Sequence, residues 1–247
     1  MVFGAGVRYN ICMKSNLYFL AAIAVMLLSF AAQSHVQRVF RAYAQKPSAR
    51  GVYGAQLARE LLYKNGLSLP VQPVAGELTD HFDPRSQTVG LSEAVFHSDS
   101  VAALAVAAHE IGHVLQYQED YRPMKWRSAI LPAANLGSRI GPFLVFGGLL
   151  LSLAVSWSGN AGYYLAMAGV ILYAAVLLFQ LITLPVEFNA SRRGLQMLTD
   201  GAYLTDDELP GAKKMLRAAA LTYVLAALGS LVTVLRFLSI AQSTRRR

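Results

Sequence analysis

Four apolar runs set the terms on which this chain can fold. Leu17 to Ala32 is apolar apart from Tyr18 and Ser29, and Ile140 to Trp157 is apolar with glycines and serines. Tyr163 to Leu184 continues the pattern, and Ala218 to Ile240 is interrupted by Arg236 and a few hydroxyls. Each is close to the roughly 20 residues a helix needs to cross a bilayer, so four spans are expected. Composition agrees: 55% of the 247 residues are hydrophobic and 15% charged, too apolar for an ordinary soluble domain.

The first run has a second reading as a cleaved signal peptide, because Lys14 precedes it and Ser29-Phe-Ala-Ala offers small residues near its end. It is long for a signal core, however, and no clean A-x-A site follows. Met13-Lys14-Ser15-Asn16 would make a natural start, which leaves the first twelve residues as an upstream extension. The single cysteine, Cys12, lies there, so no intramolecular disulfide is possible.

Parity then organises the chain. Ser158-Gly-Asn-Ala-Gly reads as a tight uncharged hairpin that makes the second and third spans antiparallel neighbours. The segment from about 33 to 139 and the segment from about 185 to 216 must then face the same side. Arg38, Arg41, Lys46, Arg50, Lys125, Arg127 and Arg139 mark the first, and Arg192, Arg193, Lys213, Lys214 and Arg217 the second. By the positive-inside bias both are cytoplasmic, against which stand Lys14 and Arg245-Arg246-Arg247. The net charge of +8 is thus explained by membrane topology. Basic residues beside spans, without interleaved aromatics on one face, do not describe a nucleic-acid surface.

The chemistry is concentrated in His109-Glu110-Ile111-Gly112-His113. Two imidazoles four residues apart share one helical face and can bind one Zn²⁺, leaving positions for a third ligand and a water that zinc makes acidic. Glu110 stands where a carboxylate can take a proton from that water. The bland alternative is a surface pair or a structural metal site. Context weighs against it: Ser98-Asp99-Ser100 offers N-caps, and Val101 to Ala108 runs unbroken into the histidines. Gly112 costs helix stability, so a close neighbour or the metal is the expected reason for it.

Candidates for the third ligand are few. No histidine follows His113, and Glu119 and Asp120 lie too close on the same helix. Glu187, in Leu184-Pro-Val-Glu-Phe-Asn-Ala-Ser, reads as the opening of a second helix just outside the third span, on the side that parity assigns to the histidines. The expected metal set is His109, His113 and Glu187.

Around these residues the chain resembles the YugP-like family of bacterial membrane proteins, described as neutral zinc metallopeptidases. The resemblance rests on Asp80-His-Phe-Asp-Pro-Arg85, Leu91-Ser92, Ala105-Val-Ala-Ala-His-Glu-Ile-Gly-His-Val-Leu-Gln116 and Leu184-Pro-Val-Glu-Phe-Asn-Ala-Ser191, in that order. It implies a membrane zinc peptidase with ligands at His109, His113 and Glu187 and with Glu110 as base, and it implies no substrate. A more distant likeness is to membrane zinc peptidases of the HtpX and CAAX-processing type. There an aspartate four residues beyond the glutamate supports a histidine ligand. Here that position is Ser191, and either Asn189 or Ser191 could orient an imidazole through its other nitrogen.

The expected fold class is mainly α: a multi-span α-helical membrane protein with a small zincin-like α+β metallopeptidase unit. An N-terminal extension (1–16) precedes a first transmembrane helix (17–33) and a catalytic segment (34–139). Transmembrane helices at 140–157 and 162–184, a third-ligand segment (185–216), a transmembrane helix at 217–241 and a basic tail (242–247) follow. Within the catalytic segment, Tyr53 to Asn65 reads as an amphipathic helix closed by Gly66. Leu67 to Val74 favours short extended pieces, and Ser86 to Ser92 a short strand that could bind substrate by edge pairing. Asp80 and Asp83 read as turn caps, with a polar cluster near the site as the alternative. His97 reads as exposed. Tyr117 and Tyr121 read as packing residues able to donate to an oxyanion, and Arg236 as a snorkelling or bundle-bound cation.

The expected activity is peptide-bond hydrolysis on a protein or peptide substrate, by an integral protein of the bacterial inner (plasma) membrane with its catalytic side cytoplasmic. Two alternatives stand beside it: an intramembrane zinc protease, and a non-catalytic zinc-binding membrane scaffold. Oligomeric state is not legible.

Overall fold

The computed structural model describes residues 2–154 and 160–245, with side chains from residue 17 onward. In chain order the elements are α1 (Val2–Ala44), α2 (Gly54–Lys64), β1 (Val71–Val74), β2 (His81–Asp83), β3 (Thr88–Ser92) and α3 (Glu93–Phe96). They continue with α4 (Val101–Gln118), α5 (Arg122–Ala154), α6 (Ala161–Asp200) and α7 (Leu209–Ser243). Helices α1, α5, α6 and α7 are long and apolar enough to cross a membrane. The protein is a mainly α membrane protein with a small α+β unit. Ser158 and Gly159 of the expected hairpin, the end of the second apolar run, and Arg246 and Arg247 lie outside the described residues.

Two compact units share the chain. The first comprises Met1–Phe30, Trp126–Thr183 and Tyr223–Arg247. In it α5 and α6 meet through small residues: a β-carbon at Gly141 would lie 3.1 Å from the Gly169 carbonyl oxygen, and one at Gly169 would lie 2.8 Å from the Val145 nitrogen. Backbones this close suit helices that associate without a hydrophobic driving force from solvent. Phe237 of α7 packs edge-on against Tyr173 of α6, with ring centroids 5.1 Å apart. Arg236 lies over the Phe19 ring at 5.0 Å, so its charge meets a π face.

The second unit comprises Ala31–Lys125 and Leu184–Thr222 and carries the α+β elements. Helix α4 is its centre, with Val101 to Ala108 almost wholly enclosed. A helix apolar on every side can be covered on every side, and its alanines let neighbours approach. Its start is defined by Ser100, whose side chain accepts from the Ala103 amide at 3.2 Å. Helix α2 buries Ala55, Leu57, Ala58, Leu61 and Leu62 on one face and ends before Gly66, which has a φ of +70°. The start of α7 is closed by Glu208, which accepts from the amides of Thr205 at 2.8 Å and Ala49 at 2.7 Å. Tyr203, fully buried, donates to Glu60 at 2.9 Å and lies beneath the guanidinium of Arg50 at 4.3 Å.

Three expectations are corrected. Glu187 does not open a separate helix after Pro185; α6 runs through that proline without a break. An interior proline costs a helix about 3 kcal/mol, but Val186 and Ala190, both fully buried, anchor the following turns in the second unit. The strand at Thr88–Ser92 is not an edge. It is the centre of a three-stranded sheet ordered β1-β3-β2, parallel to β1 and antiparallel to β2. Both its edges are paired, so it cannot add a substrate strand. His81–Asp83, read as part of a turn, instead forms β2, and the turn begins after it.

Candidate metal centre

Helix periodicity alone brings His109 and His113 together, with ring centroids 4.7 Å apart. Glu187 arrives from α6, with its Oε2 3.4 Å from His109 Nε2 and 3.5 Å from His113 Nε2. What places it there is a close crossing of two helices. A β-carbon at Gly112 would lie 2.5 Å from the Ala190 carbonyl oxygen, and one at Gly194 would lie 3.0 Å from the Ala108 carbonyl carbon and the His109 nitrogen. The glycine expected to answer to a close neighbour has one.

One donor atom from each of His109, His113 and Glu187 lies within 4.8 Å of the others. Two imidazole nitrogens and a carboxylate oxygen are a donor set that zinc takes readily. Ligand atoms about 2.0–2.1 Å from a tetrahedral ion are about 3.4 Å apart, close to the two histidine–glutamate separations here. The residues present therefore fit one metal ion.

The far sides of both rings are held as well. Gln116, fully buried on α4, donates through Nε2 to the Val186 carbonyl at 2.7 Å and to Asn189 Oδ1 at 3.0 Å. A carbonyl can only accept, so the amide nitrogen must point that way and Oε1 faces His113 Nδ1 at 3.0 Å. Nδ1 of His113 therefore carries a proton, and Nε2 is the nitrogen that faces Glu187 and that a metal would use. Asn189 Oδ1 also accepts from Arg193 Nε at 2.8 Å, and Arg193 forms a two-pronged pair with Glu119 at 2.8 and 2.6 Å. His109 Nδ1 lies 3.2 Å from Ser191 Oγ. Of the two residues considered for orienting a ring, Ser191 does so directly and Asn189 through Gln116.

Gln116, Arg193 and Glu119 carry no role in the sequence reading. Gln116 had a faint signal, one turn after His113 on the same face; the partners of the other two are visible only in space. Gln116→Leu is expected to keep the fold and lower zinc affinity about 10- to 100-fold, measured by chelator competition.

Glu110 is buried on α4. Burial raises its carboxyl above the usual range, and the histidines pull it back only in part, with Asp80 and Glu187 adding negative charge nearby. Burial opposes a charge on His113, but the carboxylates of Glu187 and Glu110 and the hydrogen bond with Gln116 outweigh it, so its proton is held more tightly than usual. Protons and metal thus compete for this ring.

Asp80 accepts from the Ser92 amide at 2.7 Å, pinning the end of β3, and Asp83 accepts from the Arg85 amide at 2.9 Å, forming the expected turn cap. His97 is exposed against Phe96. Tyr117 packs edge-on with Phe82 of β2 at 5.6 Å, and the Tyr121 hydroxyl reaches the Pro185 carbonyl at 3.5 Å.

No solved structure matches this chain. Among curated proteins it is similar to "Putative membrane protease YugP" of Bacillus subtilis, with 44% identity over 225 residues, 91% of this chain and 96% of that protein. Residues 18–242 match the family described as "Putative neutral zinc metallopeptidase", a stretch that includes α4, α6 and the four apolar runs from Tyr18 onward. The chain belongs to that "Putative neutral zinc metallopeptidase" family.

Proposed function

We propose that this protein is a membrane-embedded, zinc-dependent peptidase that hydrolyses protein or peptide substrates, with His109, His113 and Glu187 as metal ligands and Glu110 as general base. The observation that carries the reading is the convergence of Glu187, from a segment more than 70 residues away, on the two histidine Nε2 atoms.

When bound, zinc supplies Lewis acidity, which makes water nucleophilic near neutral pH and polarises a carbonyl oxygen. The chain's own residues do the rest. Gln116 and Ser191 hold the two rings by their Nδ1 atoms, so both Nε2 atoms face inward. Glu110 takes the proton of the attacking water and returns it to the leaving amine, a task suited to a carboxyl whose proton affinity burial has raised. The peptide bond breaks, a carboxylate and an amine form, and Glu110 ends as it began. Substrate backbone can pair with the outer edge of β2, which has no strand partner among the described residues and packs against α4 through Phe82 and Tyr117.

In this reading the membrane crossings are those expected from the sequence, 17–33, 140–157, 162–184 and 217–241, and the membrane is the bacterial inner membrane. The site faces the cytoplasm, as the cationic residues of the two site-bearing segments favour. The apolar run of α4, Val101 to Ala108, is too short to cross a bilayer and gives way to Gln116-Tyr-Gln-Glu-Asp, which supports chemistry outside the bilayer rather than within it.

The test uses the purified full chain. About one zinc per chain is expected, with cleavage of unfolded casein that stops with a chelator and returns on adding zinc. Glu187→Ala should leave zinc well below stoichiometric at micromolar free metal. A folded, zinc-free wild-type chain, or cleavage indifferent to chelator, overturns the reading.

A further inference from the structure

The second unit holds a cavity of about 420 Å³ between α1 and α7 whose lining is unusual in charge. His35 lines it from α1, and Lys213, Lys214, Arg217, Ala218 and Leu221 from α7. Among the described residues, none of these three cations has a carboxylate partner in an ion pair. Lys213 and Arg217 are four apart and Lys214 and Arg217 three apart, spacings at which like charges on a helix repel. All three are exposed, and three cations kept together against this repulsion call for an anion.

Position says which one. Ala32 ends the apolar run of α1 and His35 follows within one turn; Ala218 begins the apolar run of α7 and Arg217 immediately precedes it. The cavity therefore stands where two apolar helical runs give way to polar sequence. Its cations suit a phosphate, and Ala218 and Leu221 in its lining belong to the apolar run of α7. Leu221 is 44% exposed, an aliphatic surface that a free phosphate ion has no use for and an acyl-glycerol would cover. We propose that this cavity binds the phosphate headgroup of an anionic glycerophospholipid. His35, Lys213, Lys214 and Arg217 contact the phosphate, and Leu221 contacts the start of an acyl chain.

The experiment places the purified full chain in nanodiscs of phosphatidylcholine with increasing phosphatidylglycerol and reads co-retained lipid by native mass spectrometry at fixed salt. The wild type should enrich phosphatidylglycerol over phosphatidylcholine. Removing the cations in Lys213→Gln/Lys214→Gln/Arg217→Gln should cut the enrichment at least about tenfold, each cation near the surface contributing about fivefold. Lys213→Arg/Lys214→Arg should retain it. Arg85→Gln/Arg122→Gln/Lys125→Gln removes as many exposed charges elsewhere and should also retain it. Equal enrichment in wild type and the first triple variant overturns the proposal, as does an equal loss in the charge-matched control. Displacement of the lipid from wild type by millimolar inorganic phosphate, with phosphate itself then retained by wild type and not by the triple variant, would reassign the cavity to a free-phosphate site.

Discussion

Glu110→Gln is expected to remove cleavage of an unfolded substrate by about 10²- to 10⁴-fold, the usual contribution of a positioned acid–base group. Zinc content should stay at the wild-type level, because Glu110 is not one of the three side chains that converge as donors. The amide has nearly the same volume and fits the same buried space, so the fold should survive, as a thermal melt can check. Glutamine differs in the property that matters: it cannot take a proton from water and hand it to an amine. Retained cleavage by zinc-loaded Glu110→Gln would remove Glu110 from the mechanism.

Gly112→Ala should have the next largest effect, for a geometric reason. The added methyl group would sit 2.5 Å from the Ala190 carbonyl oxygen and 3.1 Å from that residue's carbonyl carbon and Cα. These are backbone atoms of a packed helix, with no flexible side-chain end to swing aside. Alanine gains about 0.8–1.0 kcal/mol of helix propensity over glycine, while overpacking costs about 1–3 kcal/mol. The net is destabilisation on the order of 1 kcal/mol. Function should suffer more than stability. Glu187 and Ser191 lie within one turn of Ala190, so a shift of α6 away from α4 moves one proposed ligand and one ring support together. A displacement near 1 Å can cost about 10²-fold in rate, and zinc affinity measured by chelator competition should fall with it. Gly147→Ala provides the contrast, since its nearest neighbour would be the Leu165 Cδ2 at 3.8 Å, ordinary contact. Wild-type zinc affinity and rate in Gly112→Ala would show that the crossing does not set the ligand distance.

How far the site could be read in advance varies with how local each interaction is. His109, Glu110 and His113 are legible because helix geometry relates positions three and four apart whatever surrounds them. Glu187 was reachable by a longer argument: the span count put its segment on the histidines' side, and the absence of later histidines left few donors. Ser191 was reachable as the position that replaces a known support. Gln116 was not, because its meaning depends on the Val186 carbonyl and the Asn189 side chain, 70 and 73 residues away. Arg193 and Glu119 were lost for the same reason.

Two of the differences between sequence expectation and structure have a common origin. Local propensity makes Pro185 a helix boundary, yet burial of Val186 and Ala190 carries α6 through it. The pattern of Thr88–Ser92 identifies a strand, but a strand's rank in its sheet depends on partners elsewhere in the chain. Here β1 and β2 take both sides, and any substrate edge passes to β2.

By itself, the sequence determined a membrane chain of four apolar runs, a helix carrying two imidazoles one turn apart with a carboxylate beside the first, and a short roster of possible third ligands. Those properties follow from hydropathy, helical period and connectivity, all of which act along the chain. Only the tertiary structure decided that α4 and α6 cross at Gly112 and Gly194, that Glu187 lies 3.4–3.5 Å from both Nε2 atoms, and that Gln116 fixes a proton on Nδ1 of His113. Those depend on backbone approach and hydrogen-bond direction between distant segments, which no local pattern encodes.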